Sequence, residues 1–161
     1  MAARRLYIAG FLACLAMIGT ALYFQYGKGL DPCPLCIFQR VTVLVMGAVF
    51  AVAALHGPKG WGRRVYGALV TLVALVGVGI AGRHLWLQHA PADQIPSCGP
   101  GLDFYVQTYP FLKMLKLVLQ GSGECSEIVW TFLGLSIPGW TLLAFLGFVG
   151  FGLYLTLRRR A

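Results

Sequence analysis

Charge is what this chain has least of. Only 11% of its 161 residues are charged, where a soluble domain carries roughly a quarter. An ordinary soluble domain is thereby excluded. Acid is scarcest, with 5 Asp and Glu against 13 Lys and Arg. The chain also lacks any long internal repeat, low-complexity tract or linker. Solenoid and multidomain layouts have no support, and one domain over residues 1–161 is expected.

What is abundant is apolar sequence, at 58% of the chain. A helix that crosses a bilayer needs about 20 predominantly apolar residues. Four segments supply them, at about 6–26, 37–55, 65–84 and 136–157. The second carries a single charge, Arg40, close to its start. Ser136-Ile137-Pro138 marks the start of the fourth, with a serine cap and proline in the first turn. The expected fold is an all-α membrane protein, a four-transmembrane-helix bundle. Glycines in the third span (Gly77, Gly79, Gly82) and the fourth (Gly147, Gly150, Gly152) are candidates for close helix approach.

Arg4-Arg5 followed by apolar residues resembles a signal peptide, and Leu12-Ala13-Cys14 faintly resembles a lipoprotein cleavage box. The apolar run continues past Cys14 to Phe24, however, whereas a cleaved signal ends near its small-residue site. Retention as the first spanning helix is expected, with Cys14 buried in it as a small hydrophobe.

Basic residues set the orientation. Arg4 and Arg5, then Lys59, Arg63 and Arg64, then Arg158, Arg159 and Arg160 all fall on one side of a four-span topology. The positive-inside rule makes that side, with both termini, cytoplasmic. The opposite side receives loops at about 27–34 and 89–130. The net charge of +8 is then topological signal plus attraction to the lipid bilayer's anionic head groups, with no nucleic-acid partner implied. Trp61, Tyr66, Trp86, Trp130 and Trp140 lie near span ends and fit an interfacial aromatic belt. Within the second loop, Thr108–Gln120 reads as a short amphipathic helix, capped by Thr108 with Pro110 in its first turn. Lys113, Lys116 and Gln120 form one polar stripe on an apolar body, the pattern of a helix lying in the interface.

The chemistry-bearing residues gather on the non-cytoplasmic side, where disulfides persist. Cys33-Pro34-Leu35-Cys36 stands where the second helix begins. Such spacing suits redox exchange or metal binding, because both sulfurs can meet or share a ligand. Asp31 or Cys33 caps the helix, Pro34 suits its first turn, and the helix N-terminus favours negative charge at the pair. Cys36 and Arg40 are four apart and share a face. Arg40 is either a snorkelling anchor or a partner for a thiolate or a polar head group. Cys98 and Cys125 lie in the second loop, in flexible sequence rich in glycine and proline. Two rivals to redox exchange stand beside it: a static structural disulfide, and a metal-handling membrane protein using Cys and His ligands such as His84 and His89. Closed zinc sites favour two short-spaced pairs, and only the first pair has that spacing, so no metal is expected.

At these residues the chain resembles the bacterial disulfide-bond formation protein B family of quinone-coupled thiol oxidases. The likeness is carried by Cys33-Pro34-Leu35-Cys36-Ile37-Phe38-Gln39-Arg40, Arg83-His84-Leu85-Trp86-Leu87-Gln88, Pro96-Ser97-Cys98-Gly99-Pro100-Gly101-Leu102 and Gly123-Glu124-Cys125. Two departures stand out: Gln39 occupies a place often held by glutamate, and Pro34 lies inside the CxxC. The resemblance implies a thiol:quinone oxidoreductase of the bacterial inner membrane, with its redox loops in the periplasm. It implies redox disulfides Cys33–Cys36 and Cys98–Cys125. Cys98 would be attacked by a reduced periplasmic thioredoxin-like oxidase of the A type (DsbA-type). Cys125 would pass oxidation on by attacking Cys33, and Cys36 would face a quinone, ubiquinone or menaquinone, drawn from the membrane quinone pool. Arg40 would stabilise the thiolate beside that quinone, and His84 is a possible accessory residue.

Overall fold

The computed structural model describes residues 2–98 and 102–157. Gly99-Pro100-Gly101 of the quoted motif and the Arg158–Arg160 cluster lie outside the described residues. Four long helices carry the architecture: α1 (Ala2–Leu22), α2 (Pro34–His56), α3 (Trp61–His89) and α6 (Ile137–Leu157). All four are long and apolar enough to cross a membrane. Short helices α4 (Leu102–Thr108) and α5 (Phe111–Gln120) lie between α3 and α6, followed by a hairpin of β1 (Thr131–Phe132) and β2 (Leu135–Ser136).

Helix boundaries follow local chemistry. Cys33 caps α2 with its sulfur, which accepts from the Cys36 backbone N–H, and Pro34 sits in the first turn. Gly57 ends α2 in the left-handed region at φ 59°, a conformation that costs glycine little. α3 has 29 residues and so reaches about 43 Å, beyond the roughly 30 Å of a hydrocarbon core. Its surplus turns carry His84 to His89 toward the loop side.

One expectation is corrected in the second loop. Thr108 does not cap the amphipathic helix; it ends α4, and α5 begins at Phe111 with Pro110 as its cap residue. The reason is Pro110, which disfavours helical backbone at the residue before it, so the chain breaks at Tyr109. The Pro110 carbonyl then accepts from Lys113 and Met114. α5 is nevertheless the short amphipathic helix expected, burying Val118 and exposing Phe111 and Leu112. The β-hairpin was not legible: its turn places Leu133 at φ 50° and Gly134 at φ 79°. This is the backbone of a primed two-residue turn, normally signalled by Asn-Gly or Asp-Gly.

The principal pairings are α3 with α6, α1 with α2, and α2 with α3. One apolar core runs through the bundle, centred on Tyr7, Met46, Phe50, Val70, Ala74 and Phe145. Cys14 belongs to it, buried and packed beside Gly47. Two of the six flagged glycines stand at close approaches. A Cβ at Gly77 would lie 2.4 Å from the Phe145 ring, and one at Gly152 2.4 Å from Thr71 Oγ1. Gly79, Gly82, Gly147 and Gly150 have open space around them. Gly67, facing Gly152 and Thr156, does the same job and was not singled out. A second, smaller core at the other end of the bundle joins Cys33, Leu35, Ile80, Leu87, Val118 and Cys125. It packs the start of α2, the end of α3 and the loop together, and it is where the chemistry lies.

Candidate redox site

The cap geometry of α2 presents both sulfurs of the CxxC at the helix mouth. Cys33 Sγ lies 3.2 Å from Cys36 Sγ, and all five cysteines are free thiols. From α3, the buried His84 ring sits between them, with Nε2 3.7 Å from Cys33 Sγ and Nδ1 3.9 Å from Cys36 Sγ. Gln39 lies one turn along α2 from Cys36, and its amide meets His84 Nδ1 at 3.0 Å and fixes the ring. Gln39 and His84 are among the few buried polar side chains of the described residues, and each is satisfied by the other.

Cys125 arrives from the loop on a short 3-10 turn, Gly123–Ser126, and is fully buried. Its sulfur, that of Cys33 and one nitrogen of His84 lie within 4.8 Å of one another. Hydrogen bonding to Cys33, reinforced by burial, holds the Cys125 thiol well above the ordinary thiol range. Cys98 is exposed and runs beside this turn. The Gly123 N–H donates to Ser97 O at 3.4 Å, and a Cβ on Gly123 would sit 2.9 Å from Cys98 Sγ. A glycine is therefore required where the Cys98 segment crosses the turn that bears Cys125.

Arg83 anchors this loop. Its guanidinium donates to Leu119 O at 3.3 Å and Gln120 O at 2.9 Å while lying 4.3 Å over the Trp86 ring. It thus occupies the unpaired carbonyls at the end of α5 and complements the helix dipole. Gly121, at φ 82°, follows against Leu87, where a Cβ would fall 2.3 Å from Leu87 Cδ1. At α6, the Ser136 hydroxyl stands directly before the helix, as a cap would, and donates to Gln88 Oε1 at 2.6 Å. This bond ties the start of α6 to α3.

Arg40 points away from the loop, toward the end of α1. It donates to Gln25 Oε1 and, at 3.1 Å, to Ala21 O. Gln25 belongs to a π turn, Tyr23–Gly27, that continues α1, an irregularity frequent near functional sites. Arg40 and Cys36 share a cavity of about 110 Å³ with Gln39, Met17, Phe24 and Ile137 among its walls. It continues into a cleft of about 420 Å³ between α1 and α6, edged by Trp130, Phe132 and Trp140.

Structure thus brings Cys33, Cys36, Cys125 and His84 into one cluster, sets Cys98 at its exposed edge, and gives Cys36 and Arg40 a common cavity. His89 is not part of it; its Nδ1 meets Leu85 O at 2.9 Å. Arg83 and Gln88 stand in the sequence as positions of the quoted motif without a role, which the fold supplies, and Gln25 stands outside every motif. A polar residue ending an apolar span was the only signal for Gln25.

Known proteins match nearly the whole chain. A family model described as disulfide bond formation protein DsbB matches residues 3–155. The chain is 56% identical over 146 residues to disulfide bond formation protein B of Nitrosococcus oceani, covering 91% of this chain and 86% of the relative. It is 50% identical over 156 residues to the protein of that name from Hahella chejuensis, covering 97% and 94%. To disulfide bond formation protein B 1 of Pseudomonas aeruginosa it is 45% identical over 156 residues, covering 97% and 96%.

Proposed function

Because the chain belongs to the disulfide bond formation protein B family, we propose that it reoxidises a periplasmic dithiol oxidase of the A type by relaying electrons through two cysteine pairs to a membrane quinone. A redox role in disulfide formation and a multi-pass membrane setting follow from the family and the four apolar helices. One observation carries the finer reading: the two sulfurs of the CxxC have different neighbours. Cys33 faces Cys125 of the loop, while Cys36 lines the cavity that holds Arg40.

The reaction balances as follows. A thiolate of the partner attacks Cys98 of a Cys98–Cys125 disulfide and releases Cys125. Cys125 attacks Cys33 of a Cys33–Cys36 disulfide and releases Cys36 as a thiolate in the cavity. The partner's second thiol then displaces Cys98 and leaves as the oxidised partner, Cys98 attacks Cys125 to restore the Cys98–Cys125 disulfide, and Cys33 is released to pair with Cys36. Thiol–disulfide exchange only moves disulfides about, so net oxidation needs an acceptor that is not a thiol. A quinone held beside Cys36 and Arg40 would supply that capacity, as an acceptor of the two electrons and two protons that closing the Cys33–Cys36 disulfide gives up. The fit is chemical: a mostly apolar cavity suits the ring, guanidinium donors suit its carbonyl oxygens, and the α1–α6 cleft suits a lipid tail. The chain's own residues do the rest. Arg40 orients and neutralises, Cys36 presents its sulfur, and His84, touching both CxxC sulfurs, can carry a proton between them.

The test is anaerobic mixing of the purified protein with quinone and a reduced periplasmic thiol oxidase. Quinone absorbance should fall catalytically, one quinone for each disulfide formed. Oxidised partner without quinone loss, or no reaction, would overturn the reading. Orientation is tested separately. A reporter enzyme active only after export should be silent when fused at Gly62 and active when fused at Asp93, as the basic bias at Arg4, Arg5, Lys59, Arg63 and Arg64 requires. The reverse pattern would invert the topology and with it the periplasmic assignment of the loops.

A further inference from the structure

Acid is rare in this chain, yet three of its 5 acidic residues line one small cavity. Asp31, Glu124 and Glu127 edge a space of about 50 Å³ whose inner wall includes Cys33, Cys36 and His84. Behind it, Cys33 Sγ, Cys125 Sγ and a ring nitrogen of His84 all lie within 4.8 Å of one another, and all three residues are buried. We propose that the reduced chain captures a thiophilic divalent cation, of the zinc or cadmium class, on Cys33, Cys125 and His84, and that this arrests the relay.

The donor set fits such an ion. Two thiolates and an imidazole are the ligands that zinc prefers, and three protein ligands leave a fourth position for solvent or for Cys36. The spacing of Cys33 Sγ and His84 Nε2, 3.7 Å, is close to the edge of a tetrahedron built on bonds of about 2.0–2.3 Å. With Nε2 on the metal, Nδ1 carries the ring proton and needs an acceptor. The Gln39 amide stands 3.0 Å away, and turning its oxygen toward the ring makes the outer-shell bond that metal-bound histidines use. The mouth carboxylates raise the local cation concentration. Binding one divalent ion displaces the two thiol protons of Cys33 and Cys125, and no electrons move.

The same geometry makes capture dependent on redox state. Once Cys33 is in a disulfide it has no thiolate to give, so an oxidised chain holds no metal. The inference rests on the proposed relay only for its consequence, arrest. The site itself can be measured without turnover.

The experiment uses the full-length protein in detergent or nanodiscs, reduced anaerobically with a phosphine and freed of reductant. Cobalt(II) serves as the coloured probe and zinc as its competitor. Expected is one equivalent of cobalt with thiolate charge-transfer absorption, displaced by zinc, and release of two protons. Oxidising the same sample should abolish binding without any mutation. Cys125→Ser and His84→Ala should each weaken binding at least tenfold, and Gln39→Leu roughly 10–100-fold. Cys98→Ser and Cys14→Ser should leave it intact. Absent stoichiometric binding, binding that survives oxidation or loss of both His84 and Cys125, or binding that requires Cys98 would overturn the site. Metal binding in a protein that never consumes quinone would instead overturn the relay and leave the site standing. Quinone turnover that zinc does not inhibit would overturn the arrest.

Discussion

Cys125→Ala should accumulate a covalent complex with the soluble thiol partner, whereas Cys98→Ala should form none. Both variants should lose turnover completely. The asymmetry comes from where the two sulfurs sit. Cys98 is exposed beside the Gly123 turn, so it is the sulfur a folded protein can reach. Cys125 is fully buried against Cys33 and reachable only from inside. In Cys125→Ala the lone Cys98 thiolate attacks the disulfide of the oxidised partner, forming the mixed disulfide and freeing one partner thiolate, and with the relay thiol gone nothing on this side resolves that bond. Cys125 also sets a pH dependence. In the reduced chain its thiol is held above the usual range by the Cys33 hydrogen bond and by burial; burial persists once Cys33 is in a disulfide, so any Cys125 that picks up a proton regains its thiolate more readily as pH rises. The relay step should quicken accordingly while attack at the exposed Cys98 follows the partner's own thiol. Cys14→Ala, buried in the bundle core, should change neither step. The measurement is non-reducing electrophoresis of partner mixtures beside single-turnover kinetics at several pH values. A Cys98→Ala variant that still forms the mixed disulfide, or a Cys14→Ala variant that accumulates normally but fails to turn over, would break the hierarchy.

How much of this was legible in sequence depends on the range over which each feature is encoded. Four spanning helices are written in composition over windows of about 20 residues. The α2 mouth is written within six residues, from Asp31 to Cys36, and Cys33 proved to be the cap. Both are local. What could not be read was pairing between distant segments. Nothing near Gln25 says that it will meet Arg40, because that depends on a π turn extending α1 by an irregular step. Nothing near Arg83 says that it will close the end of α5. Residue type gave partial hints: His84 was noticed as a motif position, but its place between both sulfurs needed α3 and α2 in register. A threonine two residues before Pro110 fits a cap of one helix over 108–120 as well as the end of the first of two helices, so Thr108 does not decide between them. The Leu133-Gly134 turn carries no ordinary hairpin signature, and only the packed structure around it fixes that backbone.

Arg40→Ala should raise the apparent KM for quinone by about 10–150-fold, the equivalent of one charge-assisted hydrogen bond of roughly 1.5–3 kcal/mol. Three facts set that expectation. Arg40 shares its cavity with Cys36. It is held there by Gln25 and the Ala21 carbonyl, so its guanidinium is oriented before any ligand arrives. And it lies near the end of an apolar span, where a cation is costly unless its charge is used or satisfied. The Gln25 and Ala21 bonds offer a competing account, in which Arg40 merely pins α1 to α2. The two accounts part at the half-reactions. A pinning residue would disturb both, because loosening α1 disturbs the mouth of α2. A quinone-facing residue should spare the mixed disulfide at Cys98, which forms in the loop. Arg40→Lys should recover part of the quinone affinity, since an ammonium supplies charge but not the planar fork of donors. Gln25→Leu should give a smaller rise in KM than Arg40→Ala, because it removes the orienting bond and keeps the charge. Unchanged quinone kinetics in well-folded Arg40→Ala would reduce the side chain to an anchor and remove the main physical argument for a quinone beside Cys36.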